Sequence, residues 1–547
     1  MDQGTLELVL KTIEDYGKRT LTSEARLKID AENRFPEEII RELLGDQIGL
    51  HLVFIPEAHG GLGGGAYDVY RVSAALAEVD LGIATAFLAI SLGMDPIRVG
   101  GTQAQKDTWI GRIASEGLIV AYGVTEPTAG SEVSAIRATA DRIVDAGGAV
   151  TGYRLNGTKQ FITNGSVAAL YTILAKTPEG PSFFIVERGT KGLSAGRHED
   201  KHGIRASDTS PVILEDVEVP VENLVGGVEG QGLRHAQEVF GFTRLMVAAF
   251  GLGAGTAAVK RAVAYAKERV QYGSPLSEKQ GFMHRLIVPG VVALETARMY
   301  IEHVARRLDA GEEALGTEGA IAKFTATEAG NAAAEAAIQA HGGYGYIREY
   351  EVEKIKRDVR ITTIYEGTSE IMLNTVGMDR WRSSIQSRFG WYAGLEDRML
   401  TLGAGDAATG ARLVAAAAKT LNETLKVAYQ ARLTRKQAVL FKLAEMMAAV
   451  ESAAVVAQET ATAGGMGTGL LGNGAGNPEV RRAVARSAAR VACARVAEGC
   501  NLAVVGTGTL DIEQGRRWRR DSGLEALLDA AQGAQEDMDL IAGAVCL

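Results

Sequence analysis

Only three cysteines, Cys493, Cys500 and Cys546, occur in 547 residues, all near the C-terminus and in no metal-ligand spacing. A disulfide framework and a thiolate zinc site are thereby excluded, and a reduced, cytoplasmic setting is expected. The eight histidines show no paired ligand spacing either, so no metal centre is expected. With just 11 prolines, 46% hydrophobic and 23% charged residues, the composition excludes a disordered or collagen-like chain and suits a largely helical one. No uninterrupted apolar run reaches the roughly 18 residues that mark a membrane span. The first residues carry an early acid, Asp2, and no arginine-rich amphipathic stretch, so neither a signal nor a transit peptide is expected. The formal net charge of -9 lacks the positive field that phosphate backbones require, which argues against nucleic acid. No internal repeat of fixed period is present.

The length predicts three or four domains. Helical spacing of Ile39, Ile40, Leu43, Leu44 and of Val72, Leu76, Val79 predicts a helical domain over residues 1–118. Residues 119–225 change character: Leu170 to Leu174 and Ser182 to Val186 are short runs of strand formers, and Asn156-Gly157 and Asn164-Gly165 are turn signals. A β domain is expected there. Helical periodicity returns over 226–378, through Val247, Tyr265, Val291 and the alanine-rich stretch 320–340, and continues in a tail over 379–547. The glycine clusters 464–469 and 472–476 interrupt that tail as a loop, because glycine loses much backbone entropy on ordering. Gly61-Leu62-Gly63-Gly64-Gly65-Ala66 superficially fits a dinucleotide fingerprint but follows no clean strand, so it reads as an ordinary loop. The expected class is mainly α with an inserted β domain and an extra helical tail.

Three segments carry chemistry. They are Ala121-Tyr122-Gly123-Val124-Thr125-Glu126-Pro127 running to Glu132, Lys159-Gln160-Phe161-Ile162-Thr163-Asn164-Gly165, and Ile364-Tyr365-Glu366-Gly367-Thr368-Ser369-Glu370-Ile371. Gln339-Ala340-His341-Gly342-Gly343-Tyr344 precedes the last of them. Taken alone, Tyr365-Glu366-Gly367 reads far more readily as a helix-adjacent turn with an exposed acid, because acids beside glycines are common. In this order, the four motifs resemble the acyl-CoA dehydrogenase family over roughly the first 380 residues.

That resemblance implies FAD as cofactor and Glu366 as the base that removes an α-proton from an acyl-CoA thioester. Burial beside an acyl chain would raise the pKa of such a carboxylate towards the working pH. Relatives that carry the base on a helix of the third domain place it one residue before an arginine. The matching pair here is Thr243-Arg244, and threonine cannot serve. By the same resemblance Val124, Thr125, Ser131, Phe161, Ile162, Thr163, Thr368 and Glu370 contact FAD. Arg269, Tyr272, Gln280, Gln339, Gly342 and Gly343 reach the FAD of a neighbouring subunit, and His341 is an accessory of that loop. Ser131, Thr243, Arg244, Tyr365 and Gly367 shape the thioester end of the substrate site, and Leu88, Ala89, Ile90 and Ser91 line its deep end.

The family reading implies fatty acid β-oxidation, with electrons passing to an electron-transfer flavoprotein. Two alternatives stand beside it, an acyl-CoA oxidase that uses dioxygen and a non-enzymatic respiratory-complex assembly factor. The tail resembles that of the very-long-chain branch, which implies a homodimer, a long acyl substrate and peripheral contact with the inner face of a membrane. Arg482, Arg486 and Arg490, four residues apart, form either a lipid-facing basic stripe or a solvated bundle face.

Overall fold

Strand-forming residues concentrate between Val120 and Pro220, and they pair there into one seven-stranded sheet. The computed structural model describes residues 1–313, 315–462, 469–471 and 476–547, the side chain of Phe242 excepted. The chain divides into two compact units, one of Met1–Ala254 with Arg357–Ile361 and the other of Gly255–Lys356 with Thr362–Leu547.

In the first unit the helices Gln3–Arg19 and Leu81–Gly100 begin on side-chain caps. Asp2 accepts from the Thr5 N–H and Asp80 from the Ile83 N–H, satisfying amides that a first turn leaves open. The predicted stripe Ile39, Ile40, Leu43 and Leu44 is buried. The helix Leu81–Gly100 lies against the sheet at Gly93, where a Cβ would come within 2.7 Å of Val120 Cγ1. Helices Leu81–Gly100 and Gly232–Glu268 are, by length and composition, apolar enough to cross a membrane. Isolated polar residues interrupt both, so neither is an unbroken apolar run. Their most apolar windows are 83% and 88% buried, the signature of core helices.

The strands are β1 (Val120–Gly123), β2 (Thr139–Val144), β3 (Val150–Thr163), β4 (Leu170–Thr177), β5 (Gly180–Glu187), β6 (Leu193–Ala195) and β7 (Thr209–Pro220). Their order is β1-β4-β2-β3-β7-β6, with β5 also paired to β4. β1 runs parallel to β4, Val120 opposite Leu170, while β4 with β5 and β3 with β7 are antiparallel. One turn signal misled. Asn156-Gly157 sits inside β3 as a bulge, where Gly157 at φ 142° lets Ala138 approach; a Cβ would be 2.7 Å from that of Ala138.

The Gly61 loop is a packing device. A Cβ on Gly61 would fall 1.9 Å from the Ile55 carbonyl oxygen, and Gly65 caps the helix Ala66–Val79. Gly61→Ala is therefore expected to cost about 1–3 kcal/mol, the usual range for overpacking. A urea unfolding midpoint equal to that of the parent would refute this.

The second unit contains the bundle helices Val288–Asp309, Gly316–His341 and Ser369–Gln386, the last running across the expected boundary at 378. The tail adds Gly390–Gly405, Ala411–Gln430, Gln437–Ala461, Pro478–Cys500 and Ala534–Val545. Arg380 joins the two sets: its guanidinium donates to Glu318 at 2.8 Å and to Glu451 at 2.9 Å, and the Tyr392 hydroxyl also donates to Glu451. The arginine stripe is tied to partners within the tail. Arg482 bonds Asp406, Arg486 bonds Asp537 and the Ala408 carbonyl, and Arg490 bonds Asp537 and two further carbonyls. Val480, Val484 and Val496 are buried, but Val491 is exposed. Most of the glycine-rich loop expected in the tail lies outside the described residues. At its described part the Leu470 N–H donates to Glu295.

Candidate active site

Three of the four motifs form two loops in the first unit and a bend in the second, each fixed by buried polar groups. In the first unit the chain leaves β1 at Gly123, and Val124 is buried while Thr125 is half-buried. The Thr125 carbonyl accepts from the Gln160 N–H at 2.8 Å, which lays this loop along β3. Beneath it the Lys159 ammonium, 0% exposed, donates to Glu126 at 2.7 Å and to the Val124 carbonyl at 3.2 Å. Glu126 also accepts from the backbone N–H groups of Arg137 and Ala138. Burial pushes the Lys159 amine down to about 8 against the pull of Glu126. Burial alone would raise the Glu126 carboxyl, but the bonds from Lys159 and the two amides prevail, and it lies below its ordinary value.

After this pin β3 turns outward. Phe161 has φ 57° and stands 64% exposed, beside buried Ile162 and half-buried Thr163. Asn164, also left-handed at φ 63°, anchors the turn by donating to the Ala86 carbonyl at 2.9 Å. Asp208 holds the next residue, accepting from the Ser166 N–H and hydroxyl. Ser131 is exposed; on the helix Gly232–Glu268, Thr243 is buried and Arg244 half-buried.

In the second unit Glu366 sits at a bend between the short helix Arg360–Thr363 and the helix Ser369–Gln386. Its φ of 54° is left-handed, and Gly367 follows at 92°. A bulky acid in that region costs roughly 1–2 kcal/mol, so the surrounding contacts must impose it. Those contacts are visible. Buried Lys323 donates to the Gly367 carbonyl, Thr368 caps the next helix by accepting from the Ile371 N–H, and Ser369 donates to Glu328 at 2.6 Å. Glu366, Tyr365 and Gly367 are half-buried, and Glu370 is exposed.

The residues expected to meet a neighbouring subunit form an exposed aromatic surface on this unit. Tyr272 is 98% exposed, Gln339, Gly342 and Gly343 are exposed, and Arg269 lies over the Tyr344 ring at 5.9 Å. His341 is instead buried, stacked on Tyr265 at 4.4 Å; its Nδ1–H donates to the Ala337 carbonyl, and burial lowers its pKa. Gln280 is engaged by the tail, donating to Asp539 at 3.0 Å, with His284 on the same carboxylate at 2.8 Å. Among the described residues no cluster of three or more histidine, cysteine or acidic side chains has metal-site geometry.

Sequence profiles of three acyl-CoA dehydrogenase domains match in succession, the N-terminal domain over residues 5–117, the middle domain over 121–217 and the C-terminal domain over 230–379. The chain belongs to the acyl-CoA dehydrogenase family. Among its relatives, the short-chain-specific acyl-CoA dehydrogenase of Megasphaera elsdenii is 36% identical over 377 residues, covering 67% of this chain and 96% of that protein. The caffeyl-CoA reductase-Etf complex subunit CarC of Acetobacterium woodii is 35% identical over 372 residues, covering 67% of this chain and 95% of that one. The tail has a structural counterpart as well. An acyl-CoA dehydrogenase of Bacillus anthracis, solved with FAD, covers 100% of this chain and 95% of its own at a TM-score of 0.83, with 23% identity, a likeness of fold.

FAD is the cofactor of acyl-CoA dehydrogenases, and the residues present suit it. The first unit offers half-buried hydroxyls at Thr125 and Thr163 and an outward aromatic face at Phe161, and adds no fixed charge among these three. What sequence reasoning missed is the support beneath. Glu126 and Lys159 were read only as members of motifs, because a pair 33 residues apart leaves no local signal.

Proposed function

We propose that this acyl-CoA dehydrogenase oxidises a saturated acyl-CoA to the trans-2-enoyl-CoA, with Glu366 removing the α-proton and an electron-transfer flavoprotein receiving the electrons. The observation that carries this reading is the left-handed backbone of Glu366, held by the Lys323 bond to Gly367. Strain of that kind persists where a side chain must be aimed, and aim is what general-base catalysis requires. When bound, FAD supplies the acceptor for the β-hydride. Glu366 holds the abstracted proton on its carboxylate, and its backbone N–H is the donor for the thioester oxygen as negative charge develops there. Thr125, Thr163 and Phe161 hold the isoalloxazine, and Arg244 borders the thioester end. The exposed surface around Arg269, Tyr272 and Gly343 supports a homodimer in which each subunit completes its neighbour's cofactor site.

Leu88, Ala89, Ile90 and Ser91 are assigned to the deep end of the substrate site, and their burial supports an apolar lining there. Beside them Ile90 and Ser91 border a cavity of about 10 Å³ with His51, Phe87 and Met94, room for about one water.

The likeness to a caffeyl-CoA reductase subunit favours a second reading, the same site working in the enoyl-CoA-reducing direction. Anaerobic titration of the flavin-loaded protein with saturated acyl-CoAs of increasing length tests both. Bleaching of the flavin band by a saturated substrate is expected. Reoxidation of the bleached protein by an enoyl-CoA alone would favour the reductase direction, and a flavin that no acyl-CoA bleaches would overturn the proposal. Hydrogen peroxide release in air would mark an oxidase.

A further inference from the structure

The last helix of the tail, Ala534–Val545, is tied down on two sides within the second unit. On one side buried Asp537 accepts from Arg486 at 2.9 Å and from Arg490 at 2.5 Å, which fixes the helix to its neighbour Pro478–Cys500. Two residues on, about 200° round the helix axis, Asp539 reaches Gln280 and His284 instead.

The residues leading into Gln280 are bound to the segment that carries Arg269 and Tyr272. The Leu276 N–H donates to the Arg269 carbonyl at 2.9 Å, and the Lys279 ammonium donates to the Tyr272 carbonyl at 3.4 Å. A carboxylate can only accept, which assigns the hydrogens on Asp539. Gln280 Nε2 donates to Oδ1 at 3.0 Å and to Oδ2 at 3.2 Å, and the His284 Nε2–H donates to Oδ1 at 2.8 Å. An exposed glutamine otherwise samples many rotamers, and a ligand that orders it must offset the lost entropy. Here the amide is ordered before any ligand arrives, by an acid 259 residues further along the chain. With Nε2 turned to Asp539, the Gln280 Oε1 is left as an acceptor for a ligand.

We propose that Asp539 is a positioning residue of the cofactor site: it sets the Gln280 amide for contact with the FAD of a neighbouring subunit, so that the tail takes part in holding the cofactor. This rests on the reading above, in which each subunit completes its neighbour's cofactor site through the surface around Arg269 and Tyr272.

Equilibrium dialysis of flavin-stripped, full-length protein against FAD tests it. Asp539→Ala is expected to weaken FAD roughly three- to tenfold, the effect of one hydrogen bond on a binding equilibrium. Asp539→Asn keeps a carbonyl for the Gln280 amide and should recover most of that loss. In a Gln280→Ala background, itself weakened, Asp539→Ala should have no further effect, because the two residues act as one unit. Exposed pairs contribute little to stability, so FAD-free Asp539→Ala should melt with the FAD-free parent. Parental FAD affinity in Asp539→Ala would overturn the proposal, as would an equal loss with and without Gln280, the mark of a general loosening. Tighter FAD binding would overturn it too, by showing that the carboxylate competes for Gln280. Arg269→Ala separates the proposal from the reading beneath it. Weakened FAD there, with none of that loss in Gln280→Ala and Asp539→Ala, refutes the proposal alone, whereas a parent protein that takes up no FAD refutes both.

Discussion

Glu366→Gln is expected to yield a protein that binds FAD normally and is reduced by acyl-CoA about 10² to 10⁴ times more slowly, the usual contribution of a positioned base. Glutamine keeps the length and the backbone strain of glutamate but cannot take the proton, so the loss should fall on the reduction step rather than on folding. Glu366→Gly separates the two quantities further. Glycine adopts φ 54° without penalty, so this variant should be about as stable as the parent, or up to roughly 1 kcal/mol more stable, while equally inactive. Stopped-flow absorbance and thermal melts measure both. Undiminished reduction in Glu366→Gln would remove Glu366 from the mechanism.

The second large effect is structural. Lys159→Met leaves Glu126 as a buried carboxylate without its cation, a change that typically costs about 3–5 kcal/mol. Because Lys159 also holds the Val124 carbonyl, the variant should lose FAD more readily than its fall in stability alone predicts. Glu126→Gln with Lys159→Met should recover much of the stability, since both charges are then gone. The pair also fixes a pH dependence. The Glu126 carboxyl lies below its ordinary 4.5 in the folded protein, so the folded state binds fewer protons than the unfolded one as acid is added. Its contribution is in place above pH 4.5 and is lost as pH falls through the lower, folded value. Glu126→Gln should therefore melt with a shallower dependence on acid than the parent. Equal slopes would show that Glu126 is not the group responsible.

The order of helix, sheet and helix was legible because periodicity is local. Ile39 to Leu44 and Leu170 to Leu174 each declare their class within a few residues, and both formed as expected. Long-range contacts were not legible. Gly157 became a bulge because of Ala138, the stripe of arginines met Asp406 and Asp537 within the tail, and Gln280 found Asp539 from the far end of the chain. At the site, motif residues such as Glu366 and Phe161 could be named from their neighbours in sequence. Their left-handed backbones could not be foreseen, since neither residue type favours that region.

Arg380 also constrains how such a chain can change over generations. Its guanidinium is nearly sealed from solvent between Glu318 of the bundle and Glu451 of the tail. A frameshift that ended translation soon after this residue would strip away Glu451 and Tyr392 together and leave an arginine built for the interior facing water. Shortening therefore has an order: the apolar surface that the tail covers around Arg380 must turn polar first, while Arg380 itself can stay paired with Glu318 in water.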